Sequence, residues 1–414
     1  SSCKQVAFPI AQPGRSRKPN QLMHNRDWPL ASFYFTYLAV LGAFSPYIGP
    51  FLKSRGFSGW EIGVVMSVWY GTRIFAPPLW SAAVSRANEP IGWLRGGCIA
   101  GTAAFAVLVL PLPFAATLFS IGLFAVFYNA VLPQFEALTM ATIAARRSAY
   151  GRIRVWGSIG FVIANVGYGW LLQQWGYGWL AWLLLPAQLL MIASAFGNRY
   201  PVAAQSASAP TAPAEGFWAT IQPRLRRTEL RWFLLAGLLM QIAHGPFYVF
   251  FSLFLGRHGY SAGAIGGIWA VGVIAEILMF LAMPRVLSRY PAAWVMLACF
   301  AAGVVRWLMT AGLTDVLAVV VLAQLLHALT FAAFHSSGMQ IIGKHFEGNA
   351  AMHGQALLYG FSSGVGGVIG ALLAAALWEY VAPGASFVGA SVISLLGMLA
   401  VRRLLAAHRE QATN

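Results

Sequence analysis

The chain has 414 residues, 59% of them hydrophobic and 9% charged, and a mean hydropathy of +0.67. A water-facing domain carries about 25% charged residues, so most of this surface must face lipid. The formal charge of +16 would suggest nucleic acid as a partner of a soluble protein, but here the basic residues cluster between long apolar runs. That is a topology pattern, and no nucleic acid is expected. Cys3, Cys98 and Cys299 are too widely spaced for a disulfide framework or a metal site, and no cofactor is expected.

Residues 1–27 are basic, contain Pro9, Pro13 and Pro19, and read as a disordered cytoplasmic tail without a signal-peptide core. A bilayer crossing needs about 20 apolar residues per helix. Six predicted spans follow: Trp28–Leu52, Trp60–Val84, Trp93–Leu112, Ala115–Ala141, Tyr150–Gln173 and Trp179–Phe196. They make an N-terminal bundle over residues 28–197. A linker, 198–230, is Ala/Pro/Ser-rich and then basic through Arg224, Arg226 and Arg227. Six more spans follow: Arg231–Leu255, Ala264–Leu287, Ala292–Gly312, Val316–Ile342, His353–Trp378 and Ala385–Leu404. They make a C-terminal bundle over 231–405, with a cytoplasmic tail at 406–414. The expected fold is an all-α integral membrane protein of twelve transmembrane helices in two six-helix bundles.

Lys and Arg set the orientation. With both termini cytoplasmic, the inner side receives Arg86, Arg95, Arg146, Arg147, Arg152, Arg154, the linker arginines, Arg285, Arg289, Lys344, Arg402 and Arg403. The outer side receives only Lys53, Arg55 and Arg257. A multi-pass protein of the cell inner membrane is expected, acting as a monomer. An internal repeat supports the two halves independently. Phe51-Leu52, Gly56-Phe57-Ser58 and Ile62-Gly63 recur 203 residues later as Phe254-Leu255, Gly259-Tyr260-Ser261 and Ile265-Gly266. Duplication of this kind is a hallmark of secondary transporters.

Ionisable groups at mid-membrane cost about 2.5–3.5 kcal/mol each, so those that persist mark function by default. The repeat offset puts Arg73 opposite Glu276, both near mid-depth. Arg306 and His327 reach the same layer as Glu276. Glu136 and Arg154 share a depth in the first half, and Gln241, His244 and His335 add polar positions toward the same cavity. For any one of these residues a buried structural ion pair would explain the charge equally well.

Several stretches resemble the bacterial phenylpropionate permeases, a branch of the major facilitator superfamily near the lactose-permease type of proton symporter. They are Tyr150-Gly151-Arg152-Ile153-Arg154-Val155-Trp156-Gly157-Ser158, Gly303-Val304-Val305-Arg306-Trp307, Gln324-Leu325-Leu326-His327 and Tyr34-Phe35-Thr36-Tyr37. The resemblance implies substrate binding by Glu136 and Arg154, and proton coupling through Glu276 with Arg306 and His327. The chain departs from the lactose permeases at Thr330, where they carry a second glutamate. Gln241 and His244 stand in the region of their aspartates, and Phe161 replaces their sugar-stacking tryptophan. Arg73, Phe161, Gln241 and His244 complete the substrate-site candidates, and His335 joins the proton-coupling set.

The expected function is proton-coupled symport, by alternating access, of a small organic solute such as an aromatic carboxylate. A same-fold facilitator or efflux transporter for a sugar, nucleoside or drug is the alternative. A non-transporting membrane receptor is the alternative from another class. No catalytic motif points to an enzyme.

Overall fold

The computed structural model describes residues 25, 27–199, 217–347 and 350–413; the N-terminal tail through residue 24 and linker residues 200–216 lie outside them. Eleven helices in it are long and apolar enough to cross a membrane. They are α1 (Trp28–Ser54), α3 (Pro90–Val109), α4 (Phe114–Thr142), α5 (Tyr150–Trp175), α6 (Tyr177–Phe196) and α7 (Thr228–Arg257). The series continues with α8 (Ala262–Arg289), α9 (Ala292–Gly312), α10 (Leu317–His345), α11 (Ala351–Tyr380) and α12 (Pro383–Ala407). A further helix of similar length, α2 (Gly59–Val84), is more polar, with Glu61, Ser67, Thr72, Arg73 and the Pro77-Pro78 pair along it. The linker is not structureless throughout: Phe217–Arg224 forms a short helix. It is held where Arg224 donates from Nε to the His345 carbonyl at 3.1 Å and lies over the Phe346 ring.

Large apolar side chains such as Phe119, Leu190, Leu278 and Leu281 remain exposed. Exposed apolar surface on this scale is what a lipid-solvated protein presents.

The duplicated sequence folds twice in the same way. Gly56 and Gly259 take positive φ, 90° and 82°, a backbone that disfavours any residue with a Cβ. Ser58 and Ser261 then cap the following helices, accepting from the backbone N–H of Glu61 and Ala264. At the other side of the repeat, Gly42 of α1 abuts the Phe161 carbonyl of α5, and Gly245 of α7 abuts the Gly370 carbonyl of α11. A Cβ at either glycine would stand 2.5 Å or 2.2 Å from that oxygen. α1 thus lies on α5 as α7 lies on α11, backbone against backbone, as small residues permit in membranes.

The halves meet closely at the end that carries the α1–α2 and α7–α8 turns. The Gly59 N–H of α2 donates to Glu379 Oε2 at the end of α11 (2.9 Å), and the Gly263 N–H of α8 donates to Gln173 Oε1 at the end of α5 (3.1 Å). Each half therefore caps a helix N-terminus of the other. One apolar core runs through this end from Phe44, Tyr47 and Phe124 to Phe250, Trp269 and Trp378, whereas Phe233, Met296, Phe300 and Leu404 form a second core within the C-terminal half.

At the opposite end each half is tied internally. Asp27, which the sequence reading places in the tail, precedes α1 with its side chain 2% exposed, and Arg146 beyond α4 forks onto it at 2.9 and 3.2 Å. Those hydrogen bonds raise the Arg146 pKa above its ordinary value. At the corresponding place in the C-terminal half, Glu229 at the start of α7 lies 3.3 Å from His345 at the end of α10.

Candidate functional site

Three backbone irregularities shape the C-terminal half at mid-depth. α7 breaks at His244, which ends the segment Thr228–Ala243 and precedes Gly245–Arg257. Pro246 has no N–H to continue the ladder, so the break follows from the sequence. α10 contains a π-helical turn, Leu329–Ala333, and α11 a longer one, Tyr359–Gly366. Such turns recur at functional sites because they re-aim side chains and free carbonyls.

These irregularities gather the charged residues of the half. Arg306 of α9 is fully buried. Its Nε donates to the Ala323 carbonyl (3.1 Å), and its Nη1 donates to Thr330 Oγ1 in the α10 π turn (3.1 Å) and to His244 Nε2 (3.3 Å). The guanidinium also lies over the Trp307 and Phe247 rings, 4.1 and 4.5 Å from their centroids. His244 Nδ1 stands 2.8 Å from the Met240 carbonyl, which can only accept. Nδ1 therefore carries the proton and Nε2 is free to accept from Arg306. Glu276 of α8 and His327 of α10 pair at 2.7 Å with side chains 15% and 5% exposed. The His327 ring is 5.7 Å from that of His244. Two histidines thus stand between the carboxylate and the guanidinium, the Glu276–His327 pair and the His244–Arg306 pair meeting through a contact of the two imidazole rings.

The first half holds its own pair. Arg154 Nε lies 3.4 Å from Glu136 Oε1, and Tyr150 donates its hydroxyl to Glu136 Oε2 (2.9 Å). Arg154 also stands over the Tyr34 ring at 5.2 Å. Both members of the pair are about a third exposed, so they remain accessible.

The other candidates separate. Arg73 makes no ion pair with Glu276; its guanidinium lies 4.7 Å over Tyr70 and 5.9 Å from Tyr359. Gln241 is half-buried against Gly366 in the α11 π turn. Phe161 is half-buried, with its carbonyl at Gly42. His335 does not join the chain of histidines. It is exposed, with the Phe331 ring between it and His327 and the Phe280 ring beside it. Sequence reasoning missed the tyrosines Tyr70, Tyr248 and Tyr359 and the cap by Glu379; the repeat offset relates Glu379 to Gly176 and carries no signal for that cap.

The model of the MFS_1 like family matches residues 27–388, nearly the whole described helical body. The chain belongs to the MFS_1 like family. It is 29% identical over 372 residues to an Escherichia coli (strain K12) protein named "probable 3-phenylpropionic acid transporter", covering 90% of this chain and 96% of that one. It is 24% identical over 280 residues to the maltose permease of Geobacillus stearothermophilus, covering 67% and 68%. The crystal structure of the nucleoside transporter NupG superposes with a TM-score of 0.80 at 17% identity, over 92% of this chain and 99% of that one. That last likeness shows the fold alone. Fold, family and relatives agree that this is a multi-pass membrane transporter of the major facilitator type and not an enzyme. Its partner is a small-molecule solute.

Proposed function

We propose that this transporter moves a small organic solute together with a proton by alternating access. The observation that carries the proposal is the Glu276–His327 pair, 2.7 Å apart and nearly buried, with the His327 ring 5.7 Å from that of His244, which accepts from Arg306. A proton can sit on the carboxyl or on the imidazole, and each placement changes the charge that Arg306 faces across the histidines. Coupling requires only that solute binds one protonation state better than the other. Glu276, His327 and Arg306 would form the proton-coupling set. Glu136 and Arg154 would meet the solute at the accessible mouth, with Gln241, His244 and Phe161 bordering its path. His335, one ring beyond His327 past Phe331, would stand at the edge of that set.

The distribution of Lys and Arg supports an orientation in which the closed end faces outward and both termini lie in the cytoplasm. The protein would then be an inner-membrane monomer of twelve spans, in an inward-open state. The name of the E. coli relative favours an aromatic carboxylate; the maltose permease keeps a sugar as the second reading.

The test uses the whole protein in proteoliposomes. An imposed inward proton gradient drives accumulation of 3-phenylpropionate by the wild type. Glu276→Gln abolishes that accumulation and retains exchange of labelled for unlabelled solute. Accumulation by Glu276→Gln at the wild-type level removes Glu276 from the coupling step. Saturable binding with no flux at all would instead make the protein a receptor.

A further inference from the structure

Arg73 differs from the other described arginines at membrane depth. It lies 14 residues into α2, about 21 Å from the helix start at 1.5 Å per residue, near the middle of the span. Arg306 makes three hydrogen bonds, and Arg154 has Glu136. Among the described residues Arg73 has neither an ion pair nor a hydrogen bond, and its Nε is buried without a partner. Its surroundings are aromatic instead. Tyr70 lies on the same face of α2, and Tyr359 reaches it from the first residue of the α11 π turn. Tyr248, just past the α7 break, stands 6.3 Å from Tyr70, ring centre to ring centre. The box therefore takes Tyr70 from one half and Tyr248 and Tyr359 from the other. Tyr359 is 43% exposed although it faces Arg73 across the two halves, so one side of the box is accessible.

Resting on the symport reading above, we propose that this box is the anion subsite for the solute: Arg73 takes the carboxylate and the tyrosines take the ring. A guanidinium presents two parallel N–H donors that match a carboxylate's two oxygens. Tyrosine rings offer broad faces for an aryl group, and their hydroxyls can donate to the same anion. A neutral sugar or nucleoside would leave the guanidinium uncompensated at mid-depth. The site thus selects aryl monocarboxylates. Tyr248 also stacks on His244 at 5.8 Å, so the anion lies one ring away from the histidine that holds Arg306. An anion bound there is sensed by the proton-coupling chain without touching it.

The experiment measures equilibrium binding to the detergent-solubilised full chain, with no gradient and no flux. Its probes are 3-phenylpropionate, its uncharged isostere 3-phenylpropionamide, and maltose. Wild type should bind the acid at least about tenfold more tightly than the amide, the scale of one charge-assisted hydrogen bond, and should not bind maltose. Arg73→Gln should erase that preference by weakening the acid about tenfold to a hundredfold while leaving the amide unchanged, which also shows that the variant is folded. Arg73→Lys, which keeps the charge but not the fork, should fall between. If Arg73→Gln does not fold, the comparison rests on wild type against Arg73→Lys. Equal binding of acid and amide by the wild type, or undiminished preference in Arg73→Lys and Arg73→Gln, overturns the assignment. Failure of the symport reading shows separately, as acid binding that persists while a proton gradient drives no accumulation.

Discussion

Removing the Glu379 carboxylate should loosen the closed end by a predictable amount. Glu379 Oε2 accepts the Gly59 N–H at 2.9 Å, at a helix N-terminus whose Ser58 and Glu61 N–H groups are already engaged by the Ser58–Glu61 capping box. Glu379 comes from the other half, so the bond exists only while the two halves are together at this end. Loss of a helix cap costs about 1 kcal/mol, and the charge at the N-terminus contributes a further few tenths, reduced here because Glu379 is solvent-exposed. A difference of about 1 kcal/mol corresponds to roughly a fivefold change in an equilibrium constant. Glu379→Ala should therefore raise the ratio of open to closed populations at this end about fivefold. Glu379→Gln keeps an acceptor and should raise it about twofold. Gln173→Ala, which removes the matching bond to the Gly263 N–H, should act independently, so that the double variant shows roughly the product of the two effects. Spin labels at Lys53→Cys and Arg257→Cys, read by pulsed electron–electron resonance in a cysteine-replaced background, report the two populations as short and long distances. An unchanged ratio in Glu379→Ala and in the double variant would refute the reasoning, because the bonds would then stabilise the helices alone and not the closed arrangement of the halves.

Three further outcomes are expected. Gly245→Ala drives a Cβ toward the Gly370 carbonyl and should destabilise the protein by about 1–3 kcal/mol, seen as a lower melting temperature in detergent; Gly42→Ala, its repeat counterpart at the Phe161 carbonyl, should behave alike. Arg146→Ala leaves the buried Asp27 carboxylate without its fork and should cost about 1–2 kcal/mol, since the arginine itself is partly exposed; Arg146→Lys should recover part of that loss in the same melt. Glu276→Gln should lose gradient-driven accumulation and keep exchange in proteoliposomes.

The helices were legible because twenty consecutive apolar residues have few alternatives, and the predicted span ends fall within a few residues of the observed ones. The repeat at Gly56-Phe57-Ser58 and Gly259-Tyr260-Ser261 was legible for a sharper reason: positive φ and a serine cap restrict the residue types at those positions. Depth alone brought Glu276, Arg306 and His327 to one layer. Depth did not say that His244 would stand between them, because that depends on the break at Pro246. Nor could it show that Arg73 would face tyrosines and not Glu276. Equivalent positions in a duplicated chain are related by the axis between the halves, and opposite charges at such positions need not touch. His335 reads from the sequence as one more polar position toward the cavity, and sequence alone could not show that the Phe331 ring lies between it and His327.

Among the described residues the π turns of α10 and α11 and the break of α7 all fall in the C-terminal copy of the repeat. A π turn holds one residue more than its neighbours require, and that surplus can travel along the helix without unwinding it. The C-terminal copy therefore has room to re-aim its side chains locally, along the face where Arg306, His244 and His327 meet.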